Sequence, residues 1–120
     1  MTSEEIIWLG EVFGGTDVLS SADVCDYFDV IRDAFSIHID REKIRNGLWK
    51  DYPAEDQANQ IKVKVDRVLR SLAQLEGLPA AIDVSSRSAE FRDNISEELY
   101  DIINYAVFAV RIVNGRVDRP

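Results

Sequence analysis

The stretch Asp93-Asn94-Ile95-Ser96-Glu97-Glu98-Leu99-Tyr100-Asp101-Ile102-Ile103-Asn104-Tyr105-Ala106 holds no glycine or proline, and its apolar residues return at steps of three and four. On a helical wheel of about 100° per residue, Phe91, Ile95, Leu99, Ile102, Ala106, Val110 and Val113 form one apolar stripe. Asp93, Glu97, Asp101 and Asn104 fall opposite it. Beyond Asn104 that opposite side turns apolar through Phe108 and Ile112, and a helix that is apolar all round has to be covered on both sides. The spacing predicts a long helix from near Ser88 to Asn114-Gly115, central to the fold, on which Glu97, Asp101 and Asn104 approach a covered pocket.

Three more helical segments are predicted upstream. After Pro53, Ala58, Ile61, Val65, Val68, Leu69, Leu72 and Leu75 share one face until Gly77 stops the helix, and Gly77 to Ser88, with Pro79, reads as a loop. Before Pro53, a segment opened by Ser20 or Ser21 turns Val24, Phe28, Ile31 and Phe35 toward a core. Its pattern weakens at Ser36-Ile37-His38 and resumes toward Ile44 and Leu48, which leaves open one kinked helix or two. A short first helix, capped by Thr2 or Ser3, carries Trp8, Leu9, Val12 and Phe13 to the stop at Gly14-Gly15. No segment alternates in the manner of a strand. The expected fold is all-α: a compact bundle of four to five helices in one domain, 1–120, with the last helix at its centre.

Composition narrows the function classes. The 120 residues carry 22 acidic and 14 basic side chains, for a net charge of −8, which repels a phosphate backbone and argues against general nucleic-acid binding. Cys25 is the only cysteine, so no intrachain disulfide forms; it reads as a small apolar core residue in a reducing compartment. The start Met1-Thr2-Ser3-Glu4-Glu5 lacks the basic and apolar regions of a signal peptide, and no run reaches the ~20 apolar residues that a bilayer requires. A cytoplasmic location and no membrane are expected. The covering comes either from the other helices or from a second copy of the chain; four helices leave limited material to wrap a central one, which favours a homodimer.

Two charged constellations stand out. Glu97 and Asp101 are four residues apart, and Glu98 and Asp101 three apart, so either pair stacks two carboxylates on one side of a helix. A divalent cation would neutralise them, and Mg²⁺ takes one or two protein carboxylates and fills its octahedron with water and phosphate oxygens. The plainer alternative is a solvated acidic face. Lys64 and Arg67, one turn apart, would hold the phosphates of a nucleotide or bridge to a neighbouring helix. Trp49 and Tyr52 would stack on a base or plug the bottom of the bundle. His38 is the sole histidine and has no companion at zinc-ligand spacing.

The run Asp93 to Ala106 resembles the last helix of the phage and bacterial nucleotide-modification-associated all-α proteins, with its acidic start, an Asp, and then Asn-Tyr-Ala. Ile61-Lys62-Val63-Lys64-Val65-Asp66-Arg67-Val68 is similar to their preceding helix, where a Lys and an Arg fall three apart. Those families resemble in turn the all-α nucleoside triphosphate pyrophosphatases of the MazG type, and the likeness covers the second half of the chain. The resemblance implies a MazG-like fold, Glu97, Glu98 and Asp101 as Mg²⁺ ligands, and Lys64, Arg67, Asn104 and Tyr105 against the nucleotide. A phage-encoded relative would work in the host cytoplasm. The pattern departs from the pyrophosphatases in one respect: only Glu98-x-x-Asp101 is plain, while Asp26-x-x-Asp29 has the spacing of the second acidic pair with shorter side chains, farther upstream. The expected function is nucleotide binding, with Mg²⁺-dependent pyrophosphohydrolysis as one form of it. The alternatives are a non-catalytic protein that sequesters a nucleotide or docks on a host protein, and a structural subunit with exposed carboxylates.

Overall fold

Thr2 and Ser20 start their helices by the same device, a hydroxyl that takes a backbone N–H left free by the first turn. Thr2 Oγ1 accepts from the Glu5 N–H at 3.1 Å while Glu5 Oε1 accepts from the Thr2 N–H at 3.1 Å, a reciprocal capping box at the head of α1, Ser3–Phe13. Ser20 Oγ accepts from the Asp23 N–H at 3.0 Å and opens α2, Ser21–Arg45. The computed structural model describes residues 1–76 and 84–116, with the side chains of 84–88 outside that description.

Between these helices Gly14 and Gly15 take positive φ, and a 3₁₀ turn follows at Thr16–Val18. A second 3₁₀ turn, Leu48–Asp51, leads to α3, Ala54–Glu76, and then α4, Val84–Val113. Among the described residues all regular structure is helical. The fold is an all-α bundle, and α4 is its centre: it runs along α3, crosses α2 and touches the Leu48–Asp51 turn, whereas the main contacts of α1 among the described residues are with α2 and the first 3₁₀ turn. No described helix is long and apolar enough to cross a membrane.

Several expected boundaries move. α2 passes through Ser36-Ile37-His38 as one helix, since each of those residues keeps its N–H, and Ala34 is packed out of solvent. It stops at Asn46, which adopts the left-handed conformation (φ 45°) together with Gly47, so Leu48 and Trp49 belong to the 3₁₀ turn. α4 starts at Val84, four residues before the expected Ser88, because no glycine or proline interrupts the chain there. Its end follows expectation: Gly115 has φ 67°, and the Arg116 N–H donates to the Arg111 carbonyl at 2.8 Å. The expected stop at Gly77 and the loop through Pro79 lie outside the described residues.

The predicted core needs a larger correction. Leu9, Val24, Val68 and Ile95 are buried, but Ile31, Phe35, Val65, Leu69, Leu72, Leu99, Val110 and Val113, all assigned to core faces, are exposed. On α4 Asp101, Asn104 and Phe108 are buried on the side opposite the apolar stripe, and of the stripe itself only Ile95, among the described residues, is buried to the same degree. α2 comes across the first side and α3 runs along α4, while Leu99, Val110 and Val113 of the stripe stay exposed. Cys25 is a free thiol, half-buried rather than fully enclosed.

Candidate functional site

Asp101 organises the junction of α2, α3 and α4. Its carboxylate is 5 % exposed and each oxygen meets a cation: Oδ1 pairs with Arg41 Nη1 of α2, and Oδ2 lies 3.0 Å from Lys64 Nζ of α3. Lys64 also lies 3.0 Å from Glu98 Oε2, a buried oxygen that it meets off the hydrogen-bond direction, so that contact is coulombic. Arg67 reaches the other Glu98 oxygen at 3.8 Å from an exposed position. Burial alone would lower the Lys64 ammonium, but Glu98 and Asp101 together outweigh it and hold the group above its ordinary 10.5. Three helices are thus tied by one cluster of two carboxylates and three cations.

Amides continue the junction toward the Leu48–Asp51 turn. Asn104 Nδ2 donates to the Ala34 carbonyl at 2.9 Å, fixing α4 to α2, and Gln57 Nε2 donates to the Trp49 carbonyl at 3.0 Å, fixing α3 to the turn. Trp49 stacks on Phe108 with ring centroids 4.3 Å apart and planes 12° from parallel. The Arg111 guanidinium stands 4.9 Å from the Trp49 ring centroid. His38 lies 4.9 Å from Phe108, and burial pushes its imidazole below the ordinary 6.5, with Arg111 and Arg41 acting the same way against Glu42. Trp49 Nε1 is buried without a hydrogen-bond partner among the described residues.

Beside this junction opens a cavity of about 320 Å³, within the size range of small-ligand sites. α2 contributes His38, Arg41, Glu42 and Arg45; the turn region contributes Leu48, Trp49 and Tyr52; α3 contributes Asp56, Gln57 and Gln60; and α4 contributes Asp101, Asn104, Tyr105 and Phe108. Of the residues singled out in the sequence, Asp101, Asn104 and Tyr105 lie on this wall, as do Trp49 and Tyr52. Glu97, Glu98, Lys64 and Arg67 do not. Glu97 is exposed to solvent, while Lys64, Arg67 and Glu98 form the ion-pair cluster. Asp26 is exposed, and Asp29 pairs with Arg32 at 3.3 Å.

The arrangement does not fit Mg²⁺ on Glu98 and Asp101. The ammonium of Lys64 occupies the position between them, both Asp101 oxygens already hold a cation, and a magnesium ion would need to displace Lys64 to reach its usual distance of about 2.1 Å. Among the described residues no three His, Cys, Asp or Glu side chains converge as a metal site would require.

Arg41, Arg45, Gln57 and Gln60 escaped sequence reasoning. Two signals pointed to them: Arg41 and Arg45 are four apart on α2, and Gln57 and Gln60 three apart on α3, so each pair projects from one side of its helix. Which sides would converge depends on how α2 crosses α4, and neither pair reports that by itself.

Fold and site together define an acidic all-α protein with a polar and aromatic cavity set against an internal ion-pair junction. Set against protein-family models, curated proteins and solved structures, the chain finds no match.

Proposed function

We propose that this chain binds a nucleotide in the cavity between α2, α3, α4 and the Leu48–Asp51 turn, as a binding protein without turnover. One observation carries the reading: a single concavity of about 320 Å³ brings together aromatic rings, side-chain amides and an arginine that has no acidic partner among the described residues. Trp49 is already stacked on Phe108, so a planar base would lie against Tyr52 and Tyr105. The amides of Gln57, Gln60 and Asn104 offer donors and acceptors to the edge of the base, and Glu42 and Asp56 offer acceptors to ribose hydroxyls. Arg45, at the end of α2, would take the phosphate. In this reading Glu98 and Asp101 serve as counter-ions for Lys64 and Arg41, which removes the donors that a metal-dependent hydrolase would need.

The test is a thermal-shift series on the wild-type chain with nucleosides and nucleoside mono-, di- and triphosphates, each with and without Mg²⁺. It is repeated on Arg45→Ala and Tyr52→Ala, whose side chains are exposed enough to leave the fold intact. A bound ligand raises the melting temperature by a term that grows with its concentration over Kd. The expected result is a shift that does not need Mg²⁺, is weakened by either substitution, and leaves the nucleotide intact on long incubation. A shift that appears only with Mg²⁺, or release of pyrophosphate, would return the reading to a metal-dependent hydrolase. No shift with any nucleotide would remove nucleotide binding altogether.

A further inference from the structure

The exposed apolar residues of α3 and α4 are not scattered. The two helices run antiparallel, since Lys64 meets Glu98 and Asp101 while Gln57, a turn and more earlier on α3, shares the cavity wall with Asn104 and Phe108 further along α4. At about 100° per residue, Val65, Leu69 and Leu72 fall within some 60° of one another on α3, and Leu99, Ile103, Ala106 and Val110 do the same on α4. Lys64, Arg67 and Gln60 lie to one side of the α3–α4 contact, together with Asp101, α2 and the cavity. Because the helices are antiparallel, both apolar arcs lie to the other side and merge into one surface. Leu69 is 59 % exposed on it, Leu99 43 % and Val110 56 %.

We propose that this joint face of α3 and α4 docks a second copy of the chain, face to face, leaving the cavity on the outer side of the pair. The proposal is independent of what the cavity binds. Its main support is area. The chain exposes 8794 Å², whereas a monomeric protein of this mass exposes roughly 6,600 Å²; the excess of about 2,200 Å² belongs to the whole chain, and this face shares it with exposed apolar residues of α1 and α2 such as Phe13 and Ile44. A permanent dimer removes about 1,000–2,500 Å² from each copy, so the excess is of the size that one such contact hides. Contiguous apolar patches larger than a few hundred Å² are rare on monomers.

Charge points the same way. Two ionised residues fall at the angles of these arcs, Glu76 on α3 and Arg92 on α4; they carry opposite charges and lie toward the same end of the antiparallel pair, while Lys62 and Asp66 lie beyond the edge on α3. The face is therefore neutral in sum although each copy carries a net charge of −8, and two copies can meet there without an excess of like charge. The surface needs cover whether or not a ligand is present, and the partner always available in equal amount is another copy, which also suits the two-fold symmetry of most small oligomers.

The test is the solution mass of the full chain by light scattering over a wide dilution range. The expected mass is twice the 13.6 kDa of one chain, and the double variant Leu69→Glu/Leu99→Glu is expected to lose it. Should that variant not fold alone, mixing it with Leu69→Lys/Leu99→Lys is expected to recover a folded heterodimer by placing opposite charges across the contact. Phe35→Glu, on an exposed part of α2 outside the face, is expected to remain dimeric. The proposal is overturned by a wild-type mass of 13.6 kDa throughout, by a glutamate variant that dimerises like wild type, by failure of the mixed pair to associate, or by dissociation caused by Phe35→Glu.

Discussion

Replacing Lys64 with methionine removes the charge from the centre of the junction while keeping a stem of similar length. In the folded chain the ammonium lies 3.0 Å from both Glu98 and Asp101. Each attraction is worth about 5 kcal/mol at an effective dielectric of about 20, and desolvation of the three groups offsets most of that sum. The substitution does not recover the desolvation cost, because Glu98 and Asp101 stay where they are, one turn apart, with only Arg41 and the exposed Arg67 to balance them. Breaking a fully buried pair costs about 3–5 kcal/mol. Lys64 and Glu98 keep 15 % and 24 % of their side-chain exposure, so the expected loss is somewhat lower, about 2–4 kcal/mol.

Urea unfolding at neutral pH and fixed protein concentration measures this loss. With a slope of about 2 kcal/mol per molar, the midpoint should fall by about 1–2 M. Lys62→Met, two residues away and exposed, should stay within about 0.5 kcal/mol of wild type. Equal midpoints for Lys64→Met and wild type would show that the two carboxylates do not need Lys64, and the junction described above would be wrong.

Asn104→Leu should cost about 0.5–1.5 kcal/mol, because the bond between α4 and α2 is lost while the Ala34 carbonyl keeps the donor of its own helix; an unchanged urea midpoint would mean that this hydrogen bond does not hold α4 to α2. Since His38 is held below its ordinary 6.5 in the fold, the unfolded chain takes its proton first. Stability should therefore be full above that value, fall as pH drops through it, and level off once the folded imidazole is also protonated. Melting curves from neutral pH down to the onset of carboxylate titration should show this component in wild type and lose it in His38→Gln. Trp49→Ala should cost about 3–5 kcal/mol, since it empties the space beside Phe108 while the backbone carbonyl that Gln57 bonds is kept. Trp8→Phe, at a site 59 % exposed, should be close to neutral in the same assay.

Helices, caps and stops were legible because local chemistry writes them. Gly14-Gly15 and Gly115 act within one turn of their own position and stop their helices where expected, and of the two cap candidates offered at each start the structure uses Thr2, with Glu5 as its unforeseen partner, and Ser20. Asn46-Gly47 was missed as a stop because Leu48 and Trp49 kept the apolar period going beyond it. Burial was less legible. Periodicity reports that Val65, Leu69 and Leu99 want cover, but not whether another helix of the same chain supplies it, and here none does among the described residues. The acidic pair was seen as a pair, but its partner was half hidden: Lys64 was noted on α3, whereas Arg41 comes from a helix whose crossing over α4 no local pattern encodes. The cavity depends on that same crossing, so only its α4 wall, Asp101, Asn104 and Tyr105, and the aromatics of the turn could be read in advance.

The most direct test of the binding site is a nuclear magnetic resonance titration that follows the indole N–H signals of Trp49 and Trp8 as nucleoside 5′-monophosphates are added without metal. Trp49 lines the cavity and Trp8 lies on α1, away from it, so one molecule carries both the probe and its control. Nucleotide binding in the cavity predicts a saturable shift of the Trp49 signal, a still Trp8 signal, and a much weaker Trp49 response in Arg45→Ala. Equal shifts of both signals, or none at Trp49 with any base, would contradict it.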